Sequence, residues 1–224
     1  IRAEDGRSVA GVNISAFLQD LPGGKDTVSF TTEDASGSTS QAAAIVEAVE
    51  GGAITLLMDE DTSATNLLVR DERIRALIPT EMEPITPLVE RIRQIRDDWM
   101  VSTIMVIGGV GDYLAVADHV IAMEHFHPKD VTEKAHTLSG ATISPPGPIP
   151  TIQPRVPLKS GLAPEKIRAR NEQRIRYGDG EIELSAVEQI LDVEHASIIG
   201  EALRFLHDQL INGNRTFVQI LDAL

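Results

Sequence analysis

The sequence predicts an α/β fold with a small α+β module at its C-terminal end, and three observations carry that prediction. Apolar runs at 54–58, 101–107 and 120–123 read as buried strands of a parallel or mixed sheet. Helical patterns separate the runs, and such alternation is the mark of an α/β domain. The stretch SPPGPIPTIQPRVP (144–157) then ends the pattern, because its six prolines admit neither helix nor central strand.

Taken in order, residues 41–50 are alanine-rich and stop at Gly51-Gly52, as a helix with a glycine C-cap does. Thr86-Pro87 supplies an N-cap and an N1 proline for a helix running to Trp99. Its apolar stripe is Leu88, Val89, Ile92 and Ile95, with Glu90, Arg91, Arg93 and Arg96 expected to face away. These signals divide the chain into a core at 1–143, a proline-rich linker at 144–160 and a module at 161–224. In the module, RIRYGDGEIEL reads as a hairpin around Gly178-Asp179-Gly180. Helices follow, with capping boxes expected at Ser185/Glu188 and Thr216/Gln219. The longest is expected to bury Ile198, Ile199, Ala202, Leu203, Leu206 and Leu210.

A chain of 224 residues with 42% hydrophobic content suits one domain plus a small module. No apolar run approaches the roughly 18 residues of a membrane span, and no signal peptide is visible. Cysteine is absent, which excludes disulfides and thiolate metal sites and makes a reducing cytoplasm the default location. The first residue is Ile1, so the chain reads as part of a longer polypeptide. A net charge of −14 disfavours a general nucleic-acid coat. Residues 145–176 run against that balance, with seven basic side chains against two acidic ones. Two readings stay open there: a solvated basic hairpin, or an RNA or phosphate contact through Arg168, Arg170, Arg174 and Arg176.

The stretch ITLLMDEDTSATN (54–66) drives an apolar strand into three acids, Asp59, Glu60 and Asp61. In open α/β sheets, ligands sit beyond the carboxyl ends of the strands. Carboxylates gathered there repel one another unless a cation intervenes, and their hard oxygens suit Mg²⁺. An apolar strand ending in Asp-Glu is the Walker B pattern, in which the Asp serves the magnesium shell and the Glu polarises an attacking water. Upstream, Ser36-Gly37-Ser38-Thr39 lies just ahead of a helix. Glycine permits close backbone approach, hydroxyls donate, and the helix start attracts anions. A plain Ser/Thr cap would look similar.

Together these stretches resemble an ABC-type ATPase. Ser36-Gly37-Ser38-Thr39-Ser40-Gln41 resembles the LSGGQ signature, and DEDTSATN resembles the Walker B and D-loop run DEPTSALD. The likeness is closest to the ABC-class ATPase family that shows ASGSTSQAA, DEDTSATN, a following RD-rich stretch (here VRDERIRAL), EPITP and VSTI…GGxGDY in this order. IRAEDGRSV and DVTEKA fit as well, so the resemblance spans residues 1–220. It implies a P-loop NTPase core that binds ATP and Mg²⁺ and hydrolyses ATP. Asp59 would hold the metal and Glu60 the water. Ser36, Gly37, Ser38, Thr39, Gln41, Ser63 and Asn66 would contact nucleotide. The same likeness implies a homodimer that sandwiches ATP between a Walker A loop of one chain and the signature of another.

The sequence departs from a complete ATPase in two places. LPGGKDT (21–27) lacks the Walker A spacing, and Lys25 is followed by Asp26; in the family that loop lies upstream of the stretch matched here. The switch histidine of ordinary cassettes is also missing, with Gly109 standing near its place in Gly108-Gly109-Val110-Gly111-Asp112. Asp112 either positions water or caps a turn. Arg70, Asp71 and Arg73 either cross a dimer interface or form helix-surface ion pairs. His125 and His127 suit one strand face but lack a third ligand. Gln19 has no spacing that secures it as a Q-loop glutamine.

Two rival functions remain. One is a nucleotide-gated RNA- or partner-binding module with little turnover, sharing the ATPase fold. The other is a haloacid-dehalogenase-like phosphatase, whose motifs LLMDEDTS and GDYLAVAD half-match. No lysine occurs between 62 and 110 to serve its phosphoryl group.

Overall fold

The computed structural model describes residues 1–21, 23–78, 83–140, 142–159, 166–187 and 189–224. They form two compact units, Ile1–Gln153 and Pro154–Leu224. The capping box expected at Ser185/Glu188 lies outside the described residues, since Glu188 is not among them.

The first unit opens with an antiparallel pair, β1 (Arg7–Val12) and β2 (Phe30–Ala35). Helix α1 (Gly37–Glu50) follows directly and ends at Gly51. Strand β3 (Thr55–Asp59) runs into a 3₁₀ turn (Glu60–Thr62) and the short helix α2 (Thr65–Leu68). Helices α3 (Glu72–Leu77) and α4 (Leu88–Asp97) lead to β4 (Ser102–Val106), which pairs parallel to β3 with Leu57 opposite Ile104 and Asp59 opposite Val106. A second 3₁₀ turn (Gly111–Ala115) follows β4. The parallel pair therefore delivers Asp59 and the 107–112 loop to the same sheet end.

One face of the pair is core. Leu56 and Met58 pack with Ala42, Ile45 and Val46 of α1 and with Leu88 and Ile95 of α4. The other face is open among the described residues, with Leu57 62% exposed, Ile104 60% and Val106 63%. The expectation of buried strands is corrected accordingly: among the described residues these helices cover one side of the pair.

The run at 120–123 is also corrected. Its strand, β5 (Ile121–Glu124), does not join the parallel pair but folds back antiparallel onto β6 (His127–Asp130). The two-residue turn is His125-Phe126, both at positive φ, the requirement of a type I′ connection. The short apolar run therefore marks a hairpin, with Ile121 and Met123 exposed. Helix α5 (Thr132–Ser139) ends at Gly140 in the left-handed region.

Arg91 corrects the reading of α4. It does not face away but is 2% exposed. Its guanidinium donates to the Ala16 carbonyl, the Gln94 side chain and the Gly147 carbonyl. A guanidinium carries five donors and tolerates burial when oxygens meet them, though burial still lowers its pKa. Gln94 also reaches Gly147, and the Trp99 indole donates to the Pro150 carbonyl, so α4 straps the start of the proline-rich stretch to this unit. Residues 144–157 contain no helix or strand, as their prolines require.

The second unit has a three-stranded antiparallel sheet, β7 (Ile167–Asn171), β8 (Arg174–Tyr177) and β9 (Gly180–Glu183), with the β8–β9 turn at Gly178-Asp179. Helix α6 (Val193–Phe205) packs on it and passes into a π-turn (Leu206–Leu210). Ile167, Ile175, Leu184 and Ala196 form its core, joined by Ile199 and Leu203. Ile198, expected in the buried stripe, is exposed instead, because Ala196 and Gly200 set the phase of the buried face. Helix α7 (Phe217–Leu221) carries the capping box expected at Thr216 and Gln219.

Candidate functional site

Every carboxylate of the acidic run leaves the strand differently. Asp59 ends β3 on the open side, and its Oδ1 accepts from the Asp61 amide at 3.1 Å, the local bond that starts the 3₁₀ turn. Asp61 projects into solvent. Glu60 turns toward the loop after β4, where its Oε2 accepts from three consecutive amides: Gly108 at 2.7 Å, Gly109 at 2.8 Å and Val110 at 3.3 Å. Turn formation and this cradle keep the three charges apart.

Those amides also set the chemistry of Glu60. The Gly109 and Gly108 amides hold its carboxyl below the ordinary 4.5, with a smaller push from Val110 and a partial opposition from burial. A side chain at Gly109 would place its Cβ 3.3 Å from Glu60 Oε1. Below the loop, Tyr113 is buried and donates to the Leu68 carbonyl at 2.9 Å. Burial drives its phenol pKa far upward, and the nearby charges of Asp112 and Glu60 add to the effect. Asp112 itself sits exposed in the 3₁₀ turn.

Gln41 joins this strand end to α1. It is fully buried, and its Nε2 donates to Ser63 Oγ at 2.9 Å while its Oε1 accepts from the Ala64 amide at 2.8 Å. Ser63 in turn donates to the Asp59 carbonyl at 2.7 Å. A continuous relay therefore runs from the second turn of α1 to the backbone of Asp59, with both ends of the Gln41 amide engaged by protein. Asn66 lies exposed on α2.

The hydroxyl stretch is built at the α1 start. Ser36 is the N-cap residue, yet its side chain caps no amide. It meets the Thr39 hydroxyl at 3.0 Å and the Ser38 hydroxyl at 3.4 Å. This cluster of hydroxyls departs from the simple cap reading. Ser38 and Thr39 are buried, leaving Ser36 as the exposed member. Gly37 is needed for packing: a Cβ there would lie 3.2 Å from Asp5 Oδ1 and 3.4 Å from Ala3 Cβ. The N-terminal segment ties the two halves of the site, since Ala3 N–H reaches the Thr62 carbonyl and Glu4 N–H reaches Ser40 Oγ. In the sequence this segment was marked only by the IRAEDGRSV likeness, which gave Asp5 no role at the site. The cradle left only a faint signal, the Gly108-Gly109 pair after an apolar strand.

Other candidates are placed elsewhere. Arg70 is buried, donates to the Ile78 carbonyl and lies 3.5 Å from Glu83, an intramolecular engagement. Asp71 caps α3 by accepting from the Arg73 amide. Gln19 donates to the Ser15 carbonyl. His125 occupies the turn rather than a strand, so it shares no strand face with His127. Among the described residues no group of three or more metal-competent side chains occurs. A single exposed Asp still fits Mg²⁺, which binds through one or two carboxylates plus substrate phosphates and keeps several waters.

Among the described residues no helix is long and apolar enough to cross a membrane. A search of curated proteins finds no match to the chain. Residues 166–224 match the family model described as the MRB1590 C-terminal domain. Residues 1–146, well over half of the chain and the whole of the strand-end arrangement, match the P-loop domain of the ABC ATPase model. The chain therefore belongs to the ABC ATPase family.

Proposed function

We propose that the chain supplies the signature and Walker B portion of an ABC-type ATPase that binds ATP and hydrolyses it with Mg²⁺. The observation that supports this most is the strand end, where β3 and β4 run parallel and bring Asp59, Glu60 and the Gly108–Val110 loop together. Asp59 would hold the metal shell; Mg²⁺, when bound, neutralises charge on the phosphate oxygens. Glu60 would hold the attacking water. That water's oxygen bonds to the terminal phosphorus while the bridging P–O bond breaks, its electron pair leaving with ADP and the proton passing to the released phosphate. Asp112, exposed in the next turn, is a second group for orienting water. Ser36, Gly37, Ser38 and Thr39 would meet the phosphates of a nucleotide held against a second copy, with Ser63 and Asn66 near that junction. Gln41, its amide already spent, would act by fixing Ser63 and the Asp59 backbone. The test is Asp59→Asn in a polypeptide that also carries a Walker A loop. Mg·ATP binding should weaken and turnover disappear together; wild-type binding and turnover in that variant would remove Asp59 from the metal.

One observation favours a second reading, RNA binding by the C-terminal unit. Arg170 and Arg174 pair with Glu181 and Glu183, and Arg168 stands directly opposite Arg176 across β7 and β8, while on its other side Arg176 faces Glu181 of β9. Like charges placed opposite destabilise a sheet, and a phosphate between them relieves the repulsion. RNA affinity that falls steeply with salt and is lost in Arg168→Ala/Arg176→Ala would support this reading. Binding unaltered by the double substitution would end it.

A further inference from the structure

The second unit carries a groove that neither reading above uses. Its sheet runs β7-β8-β9, so β7 is an edge strand among the described residues. The Gly178 amide donates to the Lys166 carbonyl at 3.2 Å, and hydrogen-bonded pairs alternate along an antiparallel ladder. Arg168 therefore turns its N–H and C=O toward Arg176 of β8, and Ile167 and Ala169 turn theirs to the open edge. The Arg204 guanidinium meets the Ile167 carbonyl there at 3.3 Å. The Ala169 amide and carbonyl come next along the edge. Beside them lies a groove of about 320 Å³, with Ile167 and Ala169 as one wall and Val193, Ser197, Gly200 and Glu201 of α6 as the other. Gly200 lets the walls approach, since a Cβ there would lie 3.1 Å from Ile167 Cγ2. Ligand clefts run from roughly 300 to 1,000 Å³, so this one takes a short extended stretch and no folded element.

Charge decides which chain fits. Side chains alternate across a strand, so Ile167 and Ala169 pack toward the core while Arg168 and its neighbour Arg176 share the outer face. On that face Glu181 pairs with Arg170 at 2.9 Å and Glu183 with Arg174 at 3.0 Å. Arg168 has no ion pair among the described residues, and Glu201 on the helix wall is held by Arg204 at 3.4 Å. A second copy of β7 would set arginines beside arginines, the arrangement that keeps edge strands from pairing with themselves. RNA offers phosphates to Arg168 but no strand-spaced donors and acceptors to Ala169. We propose that the groove docks an extended acidic segment of another protein, which adds to β7 as a fourth strand, exchanges main-chain hydrogen bonds with Ala169 and sets a carboxylate beside Arg168. The residues on either side of that carboxylate face Ser197 and Gly200 and are small or apolar. The inference goes beyond both readings above and does not depend on ATP turnover.

The experiment is an NMR titration of the isotope-labelled 224-residue chain with a short blocked peptide of alternating valine and glutamate. A peptide of alternating valine and lysine and a single-stranded RNA of equal length are titrated beside it. The glutamate peptide should move the Ala169 amide most and slow its exchange with solvent. The lysine peptide should bind about tenfold more weakly. Arg168→Glu should reverse that preference, a result that simple unfolding cannot produce. Ala169→Pro removes an N–H that the β7–β8 ladder does not use, so the folded spectrum should persist while the glutamate peptide no longer binds. No binding of the glutamate peptide, or a preference for it that survives Arg168→Glu, would overturn the proposal. RNA that displaces the glutamate peptide and shifts Arg168 without slowing the Ala169 amide would give this face to RNA, and would overturn it equally.

Discussion

Replacing Gln41 with leucine isolates the relay that joins α1 to the strand end. The two side chains are close in size, so Gln41→Leu opens little cavity, and the site is fully buried. The substitution removes the Nε2 bond to Ser63 and strands the Ala64 amide. A lost hydrogen bond is worth about 1 kcal/mol, and an orphaned donor about 1–3 kcal/mol. The Ala64 end is only partly buried, so the lower figure applies and the sum is about 2 kcal/mol. With a urea slope of about 2 kcal/mol/M, the midpoint should fall by about 1 M. Trp99 is the single tryptophan and packs against Phe17 in the first unit, so its fluorescence reports that unit's unfolding without the second. A midpoint unchanged within error would mean that the Gln41 bridge is replaceable by water and that α1 and the strand end are not mechanically joined.

The remaining predictions concern other links. Arg91→Met should lower the same Trp99 transition by about 1–3 kcal/mol by leaving the Ala16 carbonyl unmet, while the Gly147 carbonyl keeps its bond from Gln94; an unchanged urea midpoint would show that the Arg91 bonds hold nothing. Because the folded pKa of Glu60 is depressed, its cradle stabilises the fold above pH 4.5 and that contribution fades as pH falls through the lower folded value. Glu60→Gln should therefore flatten the acid side of a stability–pH curve, and a curve of identical shape would contradict it. The 224-residue chain alone should bind ATP weakly and show no Mg²⁺-dependent hydrolysis; clear turnover in a phosphate-release assay would refute this. In a Walker A-bearing polypeptide, ATP should drive dimerisation of Glu60→Gln in light scattering, and Ser36→Arg should block it; a dimer that tolerates Ser36→Arg would place the interface elsewhere.

Much of the candidate site's arrangement was legible because it rests on side-chain chemistry written in order. The apolar run ending in Asp59-Glu60, the Ser36–Thr39 hydroxyls ahead of a helix and the second parallel strand all follow from local pattern. Three features escaped for physical reasons. The Glu60 cradle is made of main-chain amides, which every residue carries, so only Gly108-Gly109 hinted at it. Arg91 was assigned outward because charge normally faces water, yet carbonyls from Ala16 and Gly147 meet its donors inside. The 120–130 segment hid its turn, because His125-Phe126 adopts a left-handed conformation that sequence associates with Asn-Gly.

Hydrolysis by Glu60→Gln, in a polypeptide that carries a Walker A loop, tests the central claim most directly. The substitution keeps the shape of the side chain and removes the charge that Gly108, Gly109 and Val110 hold in place. Mg·ATP binding should persist while single-turnover hydrolysis falls by about 10²–10⁴. Hydrolysis at the parent rate with ATP fully bound would contradict the assignment and move the water to Asp61 or Asp112.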